Sequence, residues 1–351
     1  MRSTALLATR GRRTAAMGLA VVALAASVAA CSSSSSGAAS GTADGKALTN
    51  VTVATPGPSS AFGFLWVAQD EGIFTKFGLN VKLETVTNSA QVPGLEKGSF
   101  QFIPQSGTTE RAALQGLGVV NVLSALTNAT SALVVAPGIN SLADLKGKTI
   151  ATASAISTPT LLAKAFLAKN GLSSVKLLSL QTEQAQEAAF TSGKVDGLFL
   201  NLDSVVKAQG QVPGSKILVT PEDMSVAAGA QAGLGTSKSF LQSNPATVKA
   251  MIGASLEATK FSLENPTKTI AIYAKEFGVT TADATTIYDE IKPYIVLEAA
   301  PTGAELQANA TSDSKSAGKT ITLGDVEKAW DTTLAQQEFK ALNCPDVCAK
   351  S

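Results

Sequence analysis

The chain has 351 residues, 28 of them basic, 27 acidic and none histidine, for a net charge of +1. So even a balance, with no basic patch, argues against a nucleic-acid partner. The lack of histidine removes Ser–His and Cys–His catalysis and leaves too few ligands for a metal site, so no cofactor is expected.

At the N-terminus, Arg2, Arg10, Arg12 and Arg13 precede sixteen uncharged residues, Ala15–Ala30, which close on small side chains. The pattern reads as a secretory signal over residues 1–30, too short for a membrane span. It ends "VAAC", the form of a bacterial lipoprotein signal in which the Cys31 thiol takes the lipid; an ordinary signal that contains a cysteine is the plainer reading. The Ser/Gly-rich stretch 31–49 supplies the tether an anchored domain needs. Removing residues 1–30 takes away four arginines and no acid, leaving 24 basic against 27 acidic residues, a net charge of −3. About 300 residues then remain, enough for two lobes with cores.

Val51–Thr55 ("VTVAT") reads as a short buried strand, followed by the loop "PGPSS". A helix over Ala61–Glu71 stops at Gly72, and Asn80–Val86 alternates as a strand. Strand, helix and strand in so short a span make a βαβ unit. The alternation continues with helix Ala90–Lys97, strand Ser99–Pro104, loop "QSGTTE", helix Thr109–Gln115, and strands Val119–Ala125 and Ala132–Ala136. A second series runs helix Leu142–Lys146, strand Thr149–Ala153, loop "SAIST", helix Pro159–Asn170 and strand Val175–Leu180. Helix Thr182–Ser192, strand Gly197–Asn201, helix Asp203–Ala208 and strand Lys216–Thr220 complete it, and beyond Ser239 the chain is helical. Such alternation predicts an α/β protein of mainly parallel sheets covered by helices on both faces. Ligands of these sheets sit at strand carboxyl ends, in the loops that open the next helix.

Five segments in order resemble one family. "FLWVAQDEGIFTKFGLNVKL" is similar to the N-terminal signature of ABC-importer solute-binding proteins of the nitrate/sulfonate/taurine/thiamine-precursor group. "LEKGSFQFIPQSG" resembles the next strand and loop, with Gln101 where an acid is usual. "INSLADLKGKTIAT", "AAFTSGKVDGLFL" (with Asp196 present) and "SFLQSNPATVKAMIGASLEATKF" resemble the rest, over nearly all of residues 50–290. The resemblance implies a two-lobed periplasmic-binding clamshell of type II-like form, with two interlobe crossings near Val134–Gly138 and Gly229–Ser237. Lobe one is then 50–134 with 237–340, lobe two 138–229, and 341–351 a tail. It further implies a monomer that captures a small solute between the lobes and delivers it to a permease and its ATPase at the outer face of the cell membrane. A ligand-sensing lipoprotein without a transporter is the alternative. The fold also resembles thiamine-pyrimidine synthases, whose chemistry depends on histidine, so with none here no enzyme is expected.

Within that frame the candidate ligand contacts are Ser59, Ser60, Phe62 and Phe64 of "SSAFGF", with Phe62 and Phe64 offering rings to a planar solute. Phe74, Phe77 and Trp66 read as core. Ser106, Gly107, Thr108 and Thr109 offer hydroxyls and N–H groups at a helix start, where capping alone is the plainer role. Ser154, Ser157 and Thr158 follow the same logic, with Thr158 as cap and Pro159 as first helical residue. Asn201 and Asp203 follow strand "GLFLN"; Asp203 either caps its helix or accepts from a ligand amine or hydroxyl. Arg111, the only arginine after position 13, lies inside a helix beside Glu110 and reads as a surface residue, which favours a neutral or weakly charged solute over an oxyanion. Cys344 and Cys348 of "NCPDVC" are expected to pair in an exported chain; two free thiols are the alternative.

Overall fold

The computed structural model describes residues 42–43, 46–155, 157–224 and 229–342. Cys31, the 1–30 signal and the Cys344–Cys348 pair lie outside the described residues.

A short hairpin, β1 (Thr42–Ala43) with β2 (Lys46–Ala47), precedes the first sheet. That sheet begins with the expected βαβ unit. β3 (Thr49–Thr55) and β4 (Leu79–Thr85) pair in parallel along their whole length, joined by α1 (Gly63–Asp70) and α2 (Ile73–Lys76). Gly72, at φ 66°, breaks the two helices apart, a conformation that costs glycine little. Trp66 and Phe74 are core, and Phe77 packs against it.

After α3 (Asn88–Glu96), residues 101–104 lie between β3 and the later strand β11 (Ala232–Ser237). They form bridges at Phe102 and Ile103 rather than the expected strand. The cause is local: the Gln101 side chain takes the Thr52 N–H at 2.8 Å in place of a backbone carbonyl, and Pro104 has no N–H to continue. α4 (Ser106–Leu114) follows, then β5 (Val119–Leu126), antiparallel to β11.

The second sheet has the order β10–β6–β9–β7–β8, from β6 (Ser131–Val135), β7 (Thr149–Thr152), β8 (Lys176–Ser179), β9 (Gly197–Asn201) and β10 (Lys216–Val219). Its helices are α5 (Thr158–Lys169), α6 (Glu183–Thr191) and α7 (Leu202–Gln211). β7 runs parallel to β8 and β9, whereas β6 is antiparallel to both its neighbours. Parallel neighbours need a crossover connection; β6 instead arrives directly from the other lobe. β5, β6 and β9 are buried at every residue, as strands covered on both faces must be.

The chain leaves the first sheet at Leu126 and enters the second at Ser131, so Val134 already pairs within the second sheet, ahead of the crossing expected at Val134–Gly138. It is back in the first sheet by Ala232. The remaining helices, α8 (Lys238–Ser243), α9 (Pro245–Glu264), α10 (Pro266–Phe277), α11 (Thr281–Ile291), α12 (Gly303–Ala317), α13 (Leu323–Glu327) and α14 (Thr333–Ala341), complete the chain. Among the described residues no helix is long and apolar enough to cross a membrane.

Candidate functional site

A cavity of about 50 Å³, open to solvent, lies where the two sheets face each other across the chain crossing. The β3–α1 loop contributes Pro56, Ala61 and Phe62, and the α3 and α4 starts contribute Asn88, Gln105 and Thr108. From the other side come Ser157 and Thr158 at the start of α5, Glu183 and Gln186 of α6, and Asn201 at the end of β9. Asn128 and Thr130 of the crossing form the back. These are strand carboxyl ends and helix starts, the places an open α/β sheet offers a ligand.

Of the residues expected at the ligand, the structure brings Phe62, Thr108, Ser157, Thr158 and Asn201 to the lining. It turns the others elsewhere. Ser59, Ser60 and Asp203 face one another: Asp203 Oδ1 accepts from Ser59 Oγ at 3.2 Å, from Ser60 N at 2.9 Å, and from Ser60 Oγ. Asp203 is absent from the cavity lining; it ties the second lobe to the first. Asn201 supports it, donating from Nδ2 to Ser59 Oγ at 2.9 Å.

Phe64 packs in the core. α4 begins at Ser106, so the expected "SGTT" loop is the first turn of the helix, with Gln105 preceding it. That turn buries Ser106 and Thr109, whose hydroxyl bonds the Gln105 carbonyl at 3.2 Å. Gly107 is where the lobes touch: a Cβ there would stand 3.1 Å from Thr158 Oγ1. Ser157, not Thr158, occupies the N-cap of α5; its hydroxyl bonds the Ser154 carbonyl at 2.8 Å, which keeps Ser154 behind the lining. Arg111 is no free surface residue: it reaches Thr158 Oγ1 at 3.2 Å and Asp313 Oδ1 at 3.6 Å.

Sequence reasoning missed Glu183 and the amides Asn88, Gln105, Asn128, Gln186 and Gln231. A signal for Glu183 and Gln186 was present, since α6 also opens directly after a strand of the second sheet and obeys the same strand-end rule. Glu183 is 4% exposed. Burial, then the neighbouring Asp203 and Glu187, push its carboxyl well above the ordinary range. Burial also raises Asp203, against the pull of the Ser60 hydrogen bonds. No lysine or arginine lines the cavity among the described residues.

A second cavity adjoins the first, sharing Thr158 and Gln231 with it and holding Glu110, Arg111 and Asp313. Burial raises Glu110 to about 7, opposed by hydrogen bonds to Oε2 from Trp330 Nε1 at 2.7 Å and Asn309 Nδ2 at 3.0 Å. Asp313 is raised by burial too, with Arg111 opposing.

Comparison with known proteins places this architecture. The periplasmic aliphatic sulphonate binding protein SsuA of Escherichia coli matches with a TM-score of 0.61 at 18% identity, over 80% of this chain and 92% of that one. The periplasmic nitrate-binding protein NrtA of Synechocystis PCC 6803 matches with a TM-score of 0.67 at 13% identity, over 85% and 90%. Both share the fold, the two-lobed periplasmic-binding form. Relatives in Brucella abortus and Brucella suis are 28% identical over 234 residues, 63% of this chain and 69% of theirs; their names assign binding and no ligand. Residues 59–269 match the family described as NMT1/THI5 like. That span takes in the cleft loops of both lobes, and the chain belongs to the NMT1/THI5-like family.

Proposed function

We propose that the chain is the solute-binding component of an ABC importer, a monomer tethered by lipid at Cys31 to the outer face of the cell membrane. It captures a small organic solute between its lobes and presents the closed form to a permease. The observation that carries this reading is the cleft itself: a cavity of mixed polar and apolar lining bounded by interlobe contacts, Asp203 to Ser59 and Ser60 in one place and Arg111 to Thr158 in another. Contacts that join the lobes favour the arrangement that makes them, and a ligand that bridges the walls would shift the population the same way. The sulphonate- and nitrate-binding neighbours support the same role. A nucleophile with a histidine base cannot be assembled from a chain without histidine.

Native mass spectrometry of protein purified from its own cells tests the proposal. The expected result is a one-to-one small-molecule adduct, absent from Ala61→Trp, which fills the cleft. An adduct that survives in Ala61→Trp, or none in the wild type, contradicts it.

A further inference from the structure

We infer that the solute is an organic cation, presenting a protonated amine or amidine to Glu183 and further N–H or O–H donors to the amide oxygens of Gln105, Gln186 and Asn201. The inference rests on the cleft being the solute site and names the chemistry it selects.

The orientation of each amide follows from its neighbours. Gln186 Nε2 lies 2.8 Å from the Leu180 carbonyl, which can only accept, so Oε1 is left over and is buried without a partner. Asn88 Nδ2 lies 3.3 Å from the Gln181 carbonyl, which turns Asn88 Oδ1 towards Gln105. Gln105 must then donate to it from Nε2, at 3.1 Å, and its own Oε1 is likewise buried and unpartnered. Ser59 gives its hydroxyl proton to Asp203, so Asn201 donates to Ser59 Oγ from Nδ2 and keeps Oδ1 free of that bond. Backbone carbonyls and one carboxylate thus fix four amides, Asn88, Gln105, Gln186 and Asn201, with their NH₂ groups turned onto protein acceptors. What Gln105, Gln186 and Asn201 leave for a ligand is acceptor oxygen.

Charge points the same way. Glu183 lines the cavity and its one hydrogen bond within the described residues is a long one, from Ser204 Oγ at 3.4 Å to Oε2. It forms no ion pair there; Lys207, which acts on it electrostatically, is bound to Glu187 Oε2 at 2.9 Å. A buried carboxyl without a counter-charge is costly, and a ligand cation relieves that cost.

An oxyanion meets the opposite conditions. It would lie near Glu183 with no arginine or lysine in the lining. In α4 the Gly107 N–H is engaged by the Gln231 carbonyl and the Thr108 and Thr109 N–H groups by the Gln105 carbonyl, and in α6 Ala185 N is engaged by Thr182 Oγ1. Donors do remain, on Asn128, whose Oδ1 is occupied by Ala129 N, on the hydroxyl of Thr130, and on the hydroxyl of Thr158, which accepts from Arg111. They suit a neutral carbonyl or hydroxyl elsewhere on the solute.

The test is a binding panel with putrescine, agmatine and benzamidine as cations and nitrate and methanesulfonate as anions, read by thermal shift and calorimetry at neutral pH. At least one cation is expected to raise the melting temperature of the wild type, and neither anion to do so. Glu183→Gln should weaken that cation about thirtyfold or more, the scale of removing one partner of a buried charge pair. Gln105→Met should weaken it about fivefold, the worth of one hydrogen bond, and stands in should Glu183→Gln fold poorly. Stabilisation by either anion, no response to any cation, or wild-type cation affinity in both variants overturns the inference. An anion excluded by Ala61→Trp would overturn the ligand class alone; loss of every adduct in native mass spectrometry would overturn the solute-binding reading first.

Discussion

Two pairs of buried carboxyls, Glu110 with Asp313 and Glu183 with Asp203, lie beside adjoining cavities, and the chain supplies an ion-paired cation to only one of them. Glu110 and Asp313 share Arg111, and Glu110 also receives Trp330 and Asn309. Glu183 and Asp203 have no basic partner among the described residues; Asp203 is held by serine hydroxyls and an N–H, and Glu183 lies open to the cleft. Equal burial of like groups therefore has two outcomes. Where the acid pair is architectural, the chain neutralises it internally; where one member lines the cleft, no internal ion pair neutralises it, and the proposed solute would bring that charge.

The comparison is broken most severely at Arg111. Arg111→Ala leaves two buried carboxyls facing each other and cuts the bond to Thr158; a loss of about 3 kcal/mol is expected in denaturant titration. A loss below about 1 kcal/mol would show that the guanidinium does not hold that pair.

Asp203→Ala removes the acceptor of three donors and strands the Ser60 N–H in the interior. About 2 kcal/mol is expected, with an increase in radius of gyration by X-ray scattering as the lobes part. An unchanged scattering profile would mean that this contact is not an interlobe tie.

Glu110 sharpens the comparison through pH. Its folded-state value is raised from 4.5 to about 7 by burial, with Asp313 adding to the rise and Arg111 opposing it. The stability it contributes is thus present below about 4.5 and lost as pH rises through about 7. Between pH 5 and 8 the wild type should lose on the order of 2 kcal/mol from this group. Glu110→Gln should lack that slope; a parallel curve would refute the assignment.

Glu183→Gln gives the smallest effect, and the opposite sign. The Glu183 carboxyl is raised by its burial and by Asp203 and Glu187, with Lys207 opposing, so it too loses stability as pH rises through its folded value. The neutral amide should stabilise the unliganded protein relative to the wild type at alkaline pH, with the difference shrinking as pH falls below the ordinary carboxylate range, while weakening cation binding. Destabilisation at pH 8 would make Glu183 a structural group.

Much of the fold was legible because buried strands and helix stops leave a local record. The apolar runs of β5, β6 and β9 and the glycine after α1 are examples. The 101–104 segment was not, because a side chain, Gln101, replaces one backbone bond. At the site, strand-end logic pointed to Thr108, Ser157, Thr158 and Asn201, which line the cavity. It could not tell that Asp203 would reach across 143 positions of sequence to Ser60, or that Arg111 would find Asp313 from α12. Those are tertiary pairings without sequence periodicity. Glu183 was hidden differently: in a strand–helix chain it reads as an ordinary first-turn acid, favourable at any helix start, and only its burial at the cleft sets it apart.

A crystal structure with the best-binding cation of the panel tests the central claim most directly. The account predicts the ligand nitrogen at about 3 Å from the Glu183 carboxylate, with a second donor on Gln105, Gln186 or Asn201. A ligand whose charged nitrogen points to solvent, with Glu183 still bonded only to Ser204, would contradict it.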